Sequence, residues 1–144
     1  MVLCDVNVLV YAFREESEDH LRFRAWVEEA LSGDEPFAVS ELVLSGFLRV
    51  VTNSRVFKPV VPSQIAFAFA EALRGAPSAV AVAPGSRHWD IFRRLCEHSG
   101  AKGNLVADAY LAALAIESGC EWITTDRDYA RFQGLRWRHP LEQK

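Results

Sequence analysis

Lysine is scarce in this chain. Of 144 residues only Lys58, Lys102 and Lys144 are lysines, and none follows an apolar run. Chemistry that needs a lysine beside a strand-end carboxylate is therefore poorly served. Cysteine is scarce too: Cys4, Cys96 and Cys120 are an odd number, and neither they nor His20, His88, His98 and His139 show zinc-ligand spacing. A disulfide scaffold is excluded, and the thiols read as reduced and buried in a cytosolic protein. No apolar run is long enough to span a membrane, and MVLCDVNVLVYAF carries an acid where a signal peptide carries a basic start. No glycine-rich phosphate loop is present, since Gly100-Ala101-Lys102-Gly103 is too short and follows a helix. No Gly-x-Ser-x-Gly elbow, repeat, low-complexity segment or long linker occurs. An excess of positive charge is also missing, the net charge being −3.

What is present is a chain half hydrophobic and a quarter charged, of a length that fits one domain over residues 1–144. Short apolar runs alternate with helical periodicity. Val2–Cys4 reads as a first strand, followed by a helix through Val10 and Phe13, and Glu15, Glu16, Glu18 and Asp19 read as a solvated turn. Leu21, Trp26, Val27 and Ala30 recur at helical spacing up to Gly33. Pro36–Val39 reads as a second strand, and Ser40 suits the N-cap of a helix Glu41–Val51. Ser63–Arg74 reads as a helix with Ile65, Phe69 and Leu73 on one face. Ala79–Val82 is a third strand, and Arg87–His98 and Leu105–Glu117 are helices. Glu121–Thr124 is a fourth strand, Asp126–Phe132 a short helix and Leu135–Arg138 a last strand. This alternation predicts an α/β fold whose sheet is mostly parallel and covered on both faces.

Four acids stand beside the apolar stretches: Asp5, Glu41, Asp108 and Asp126. Asp5, Glu41 and Asp126 come where a strand ends and a helix begins, and such ends converge on one crevice of a parallel sheet. Carboxylates gathered there raise one another's pKa unless a cation neutralises them, and hard oxygen ligands suit Mg²⁺ or Mn²⁺. With all four covered by metal, −3 + 4 leaves +1, so a polyanionic substrate is not excluded. Each acid also has a plainer reading. Asp5 suits a helix N-cap, and Glu41 suits the positive end of a helix dipole. Asp128 fits a capping box with Thr125 as the cap. Asp108 lies among Val106, Ala107, Ala109 and Leu111, where a charge needs a partner or a metal; Asn104 lies one helical turn earlier, and an arginine is the competing partner. Asn7, Thr124 and Thr125 are placed to orient a carboxylate or a bound water. Arg87, Lys102, Arg127, Arg131, Arg136 and Arg138 are candidate phosphate contacts, with four arginines against one acid between residues 127 and 138.

Taken in order, LCDVNVLVYAF, AVSELVLSGFLRVVTN, NLVADAYLAALAIESG and WITTDRDYARF resemble the PIN-domain nucleases, specifically the VapC-type toxins of bacterial toxin–antitoxin pairs. The resemblance covers nearly the whole chain. It implies an α/β/α sandwich, with Asp5, Glu41, Asp108 and Asp126 forming an acidic pocket. Asp128 is then an accessory acid, supported by Asn7, Asn104, Thr124 and Thr125. It further implies metal-dependent cleavage of RNA, one or two Mg²⁺ or Mn²⁺ ions, and a small VapB-type antitoxin that buries a C-terminal segment in the toxin. A homodimer is implied as well, and Phe67 is a candidate lining for the antitoxin groove. Asp5, Asp108 and Asp126 are assigned to metal, and Glu41 either to metal or to the attacking water. Two other readings compete. One is a phosphotransfer domain with Asp5 as nucleophile, as in haloacid-dehalogenase-like phosphatases or receiver domains; the other is a non-catalytic binding module.

Overall fold

The computed structural model describes residues 1–142. Five short strands, β1 (Val2–Cys4), β2 (Phe37–Val39), β3 (Ala79–Ala81), β4 (Glu121–Ile123) and β5 (Trp137–Arg138), form one sheet in the order β3-β2-β1-β4-β5. All four pairings are parallel, with Leu3 opposite Ala38 on one side and Trp122 on the other. Every residue of β1 and β2 is buried. Successive strand residues point to opposite faces, so this burial means both faces are covered.

The cover is six helices: α1 (Val6–Phe13), α2 (His20–Ser32), α3 (Glu41–Val51), α4 (Ser63–Arg74), α5 (His88–Ser99) and α6 (Asn104–Glu117). Helix α1 packs on α2 and α3, α3 on α4, and α5 on α6. A short 3₁₀ turn, Arg127–Arg131, follows β4. Helix α6 buries Ala109, Ala112, Ala113, Leu114 and Ala115, small side chains that allow close approach of its backbone. Gly46 in α3 does the same for α1: a Cβ there would lie 2.8 Å from Val6 Cγ2. Phe13, Phe47 and Phe69 join α1, α3 and α4 through ring contacts of 5.0–5.2 Å between centroids.

The chain order of the strands decides where a site can form. From β1 the chain steps outward to β2 and β3, then crosses back to place β4 on the other side of β1. The order reverses at β1, and the crevice beyond the carboxyl ends of β1 and β4 is the switch point where open α/β sheets bind ligands.

Two predicted helix faces each carry one misplaced residue. On α2, Val27 is buried and Trp26 and Ala30 pack on the core as expected, but Leu21 is 74% exposed, and His20 and Phe23 are buried instead. In α4, Ile65 is 55% exposed while Ala66, Ala70 and Leu73 are buried, with Phe69 packed at the margin. The buried histidines are packing residues: His20 Nδ1 meets the Tyr11 carbonyl and His88 Nε2 the Tyr110 carbonyl, each at 2.9 Å. Cys4, Cys96 and Cys120 are free thiols, and burial raises the pKa of all three. No helix among the described residues is long and apolar enough to cross a membrane.

Candidate active site

Asp5 ends β1 and caps α1. Its backbone N–H donates to the Ile123 carbonyl at 2.8 Å, continuing the pairing with β4. Its Oδ1 accepts from Val6 N–H at 2.7 Å, and its Oδ2 accepts from the Thr124 hydroxyl at 2.7 Å. The side chain is thus held at both oxygens and is only 6% exposed. Burial pushes its pKa up to about 6; the two hydrogen bonds oppose that rise, and Asp108 and Asp126 add to it.

Thr124 is fully buried just past β4 and links two acids. While its hydroxyl donates to Asp5, its Oγ1 accepts from the Asp126 N–H at 3.0 Å. Asp126 Oδ1 then accepts from Asp128 N–H at 2.9 Å, which makes Asp126 the N-cap of the 3₁₀ turn. The expected cap, Thr125, is half-buried and does not fill that position. Capping and site-building therefore coincide in Asp5 and Asp126: the bond that starts the helical turn also fixes the carboxylate.

Asp108 lies in the second turn of α6. It is half-buried rather than enclosed, and its hydrogen-bond partner is the Tyr129 hydroxyl, which donates to Oδ1 at 3.3 Å. Neither Asn104, exposed at the first position of α6, nor a buried arginine plays that part. Burial raises the Asp108 pKa. The Tyr129 hydrogen bond opposes this, Asp126 and Asp128 reinforce it, and Arg131 lowers it. Burial and the same ring of acids raise the Tyr129 phenol, so it remains a protonated donor.

Asp5, Asp108 and Asp126 thus converge on the switch-point crevice. Glu41 begins α3 after Ser40, whose hydroxyl accepts from Leu42 N–H at 3.2 Å. It is exposed at the same carboxyl edge, one strand away, and lines an open cleft of about 800 Å³ together with Ser45, Arg74 and Pro84. Asn7 is exposed in the first turn of α1. Among the basic candidates, Arg131 is paired with Asp128 at 3.5 Å and acts on Asp108. Arg127 pairs with Glu142, while Arg87 donates to the Glu117 carbonyl at 3.3 Å. Lys102 is exposed in the turn before α6, and Phe67 is 52% exposed on α4.

The donor set suits a hard divalent cation. Three aspartates press negative charge into a partly desolvated crevice, and the pKa values of Asp5 and Asp108 record the cost. Among the described residues, no group of three or more carboxylate, imidazole or thiolate side chains is arranged to hold a metal ion. An open array is compatible with Mg²⁺, which keeps several waters and takes one or two carboxylates.

Comparison with known families decides the classification: the PIN domain family matches residues 2–135. The chain belongs to the PIN-domain family. This PIN domain is 47% identical over 142 residues to a VapC ribonuclease of Mycobacterium bovis, spanning 99% of this chain and 97% of the relative. It is 42% identical over 140 residues to ribonuclease VapC25 of Mycobacterium tuberculosis, spanning 97% and 99% of the two chains. Such identity over full length places this PIN domain among the VapC ribonucleases. Solved structures share its fold. VapBC-1 from nontypeable Haemophilus influenzae matches with a TM-score of 0.69 at 14% identity, over 99% of this chain and 100% of that one. VapBC2 from Rickettsia felis, bound to a DNA fragment from their promoter, matches with a TM-score of 0.67 at 18% identity, over 96% and 98%. The residue that sequence reading missed in this PIN domain is Tyr129. Its place three residues after Asp126 is no signal in itself, because the fold is what brings its hydroxyl to Asp108.

Proposed function

We propose that the protein is the toxin of a toxin–antitoxin pair and cleaves RNA as a metal-dependent endoribonuclease, one PIN domain accounting for residues 1–144. The observation that carries this reading is the convergence of Asp5, Asp108 and Asp126 on the switch point, with Thr124 bridging two of them. Kinship with VapC ribonucleases supports the same chemistry. Asp5, Asp108 and Asp126 would hold Mg²⁺ or Mn²⁺, one ion or two, which when bound supplies Lewis-acid activation of water and neutralises charge at phosphorus.

The chain's own residues do the rest. Thr124 keeps the Asp5 carboxylate aimed across the crevice while fixing the backbone ahead of Asp126. Glu41, at the exposed rim, orients the attacking water or adds a ligand. Arg131, which acts on Asp108, stands at the edge of the acids, where a scissile phosphate's neighbours would lie; Arg87, Lys102 and Arg127 are the further candidate phosphate contacts. In-line attack on phosphorus with departure of the 3′ oxygen leaves a 5′-phosphate and a 3′-hydroxyl. The partners we assign are an RNA substrate, a VapB-type antitoxin and a second copy of the chain. The VapBC complexes with the same fold support the antitoxin, whose seat would include Phe67.

Total cellular RNA incubated with purified, antitoxin-free protein tests this. Discrete fragments bearing 5′-phosphates are expected with Mn²⁺, and none with chelator or with Asp5→Asn. Equal cleavage by folded Asp5→Asn would refute the assignment. A wild type that binds no divalent ion and cuts no RNA would favour a binding module.

A further inference from the structure

We infer that Tyr129 is a positioning residue for the metal site: its hydroxyl fixes the Asp108 carboxylate in the orientation that meets an ion. The inference rests on the metallonuclease reading and adds to it a residue outside the acidic set. Asp108 sits on α6, half-buried at the mouth of the crevice, where an aspartate side chain is free to turn toward water. Tyr129 limits that freedom. Its hydroxyl donates to Oδ1 at 3.3 Å, reaching across 21 residues of sequence.

The donor itself is rigid. Tyr129 is 2% exposed, and its ring packs on Trp122 and Phe132 with centroids at 5.4 and 5.7 Å. Trp122 is fully buried in β4, so the brace is anchored in the sheet. The 3₁₀ turn adds register. One segment presents Asp126 as the cap of the turn and, within the turn, the hydroxyl that holds Asp108. With Oδ1 engaged by Tyr129, Oδ2 becomes the atom offered to the ion. A group that orients a ligating carboxylate in this way typically contributes about 10- to 100-fold in metal affinity or activity.

The test pairs two substitutions in the full chain. Tyr129→Phe keeps the ring and removes the hydroxyl, whereas Phe132→Leu loosens the packing and leaves the hydroxyl. Mn²⁺ affinity is read by calorimetry, and kcat and KM on an RNA that the wild type cleaves. Tyr129→Phe should melt close to the wild type in chelator and bind Mn²⁺ on the order of ten-fold or more weakly. Its kcat should fall at limiting Mn²⁺ and recover in excess, with KM for RNA unchanged. Phe132→Leu should melt earlier yet bind Mn²⁺ like the wild type. Wild-type Mn²⁺ affinity in Tyr129→Phe overturns the inference alone, as does an equal loss in Phe132→Leu, which would make the effect one of packing. Absence of Mn²⁺ binding by the wild type overturns the metal reading itself, and the inference with it.

Discussion

Removing one charge should make this protein more stable and inactive at once. Asp5 is 6% exposed, and its pKa moves from the ordinary 3.8 to about 6, chiefly through burial. A folded-state pKa above the unfolded one contributes stability that is complete below the unfolded value and lost as pH rises through the folded value. For ion-free protein the loss therefore runs from about pH 4 to pH 6. It amounts to roughly 3 kcal/mol by neutral pH, at 1.36 kcal/mol per pKa unit. Asp5→Asn removes that cost. The new side chain keeps an acceptor for Val6 N–H but cannot accept the Thr124 hydroxyl, a loss of about 1 kcal/mol. The difference favours Asp5→Asn by about 1–2 kcal/mol in chelator at pH 7.5. At ~2–4 °C per kcal/mol for a chain near this size, its Tm should lie about 2–8 °C above the wild type. At pH 4 the two should melt together or the wild type should lead. Adding Mn²⁺ should stabilise only the wild type, by mass action on a site the variant lacks. Melting curves in chelator from pH 4 to 8 check this. A Tm difference that does not change with pH would refute the argument, because the cost assigned to buried ionised Asp5 would then be absent.

Two other outcomes are expected. Gly46→Ala forces Val6, the residue after Asp5, away from the α1–α3 contact; it should cost about 1–3 kcal/mol by overpacking and lower kcat, read by melting and by RNA cleavage. Wild-type stability in that variant would show that the contact yields freely. Arg131→Gln should raise KM for RNA several-fold and steepen the Mn²⁺ requirement less than Tyr129→Phe does; an unchanged KM in steady-state cleavage would remove Arg131 from the phosphate margin.

Much of the framework of the candidate site was legible in the sequence because a strand buried on both faces is a short apolar run, and an acid immediately after it stands out. Val2–Cys4 before Asp5, Phe37–Val39 before Ser40-Glu41 and Glu121–Ile123 before Thr124 all lie where that pattern places them. The sheet order was not legible, since nothing local tells β4 to pair with β1. One residue of the α4 face was misplaced for a physical reason. Ser63–Arg74 is apolar nearly all round, so large residues suggest the core, yet close packing selects Ala66 and Ala70 and leaves Ile65 outside. The cap of the 3₁₀ turn was shifted by one residue, from Thr125 to Asp126, whose own Oδ1 accepts the Asp128 N–H. Tyr129 was missed because, among the charged residues of its turn, an uncharged tyrosine does not stand out as a candidate. Only the fold brings its hydroxyl to Asp108.

The reversal of strand order at β1 also sets when the molecule can act. Asp5 is made before β2 and β3, but the neighbour that completes its crevice, β4, begins only at Glu121, and Asp126 follows it. Until that stretch has left the ribosome, β1 has one partner and Asp5 has no Thr124 to hold its second oxygen. A nascent chain, or one truncated before Thr124, therefore carries an acid but no site.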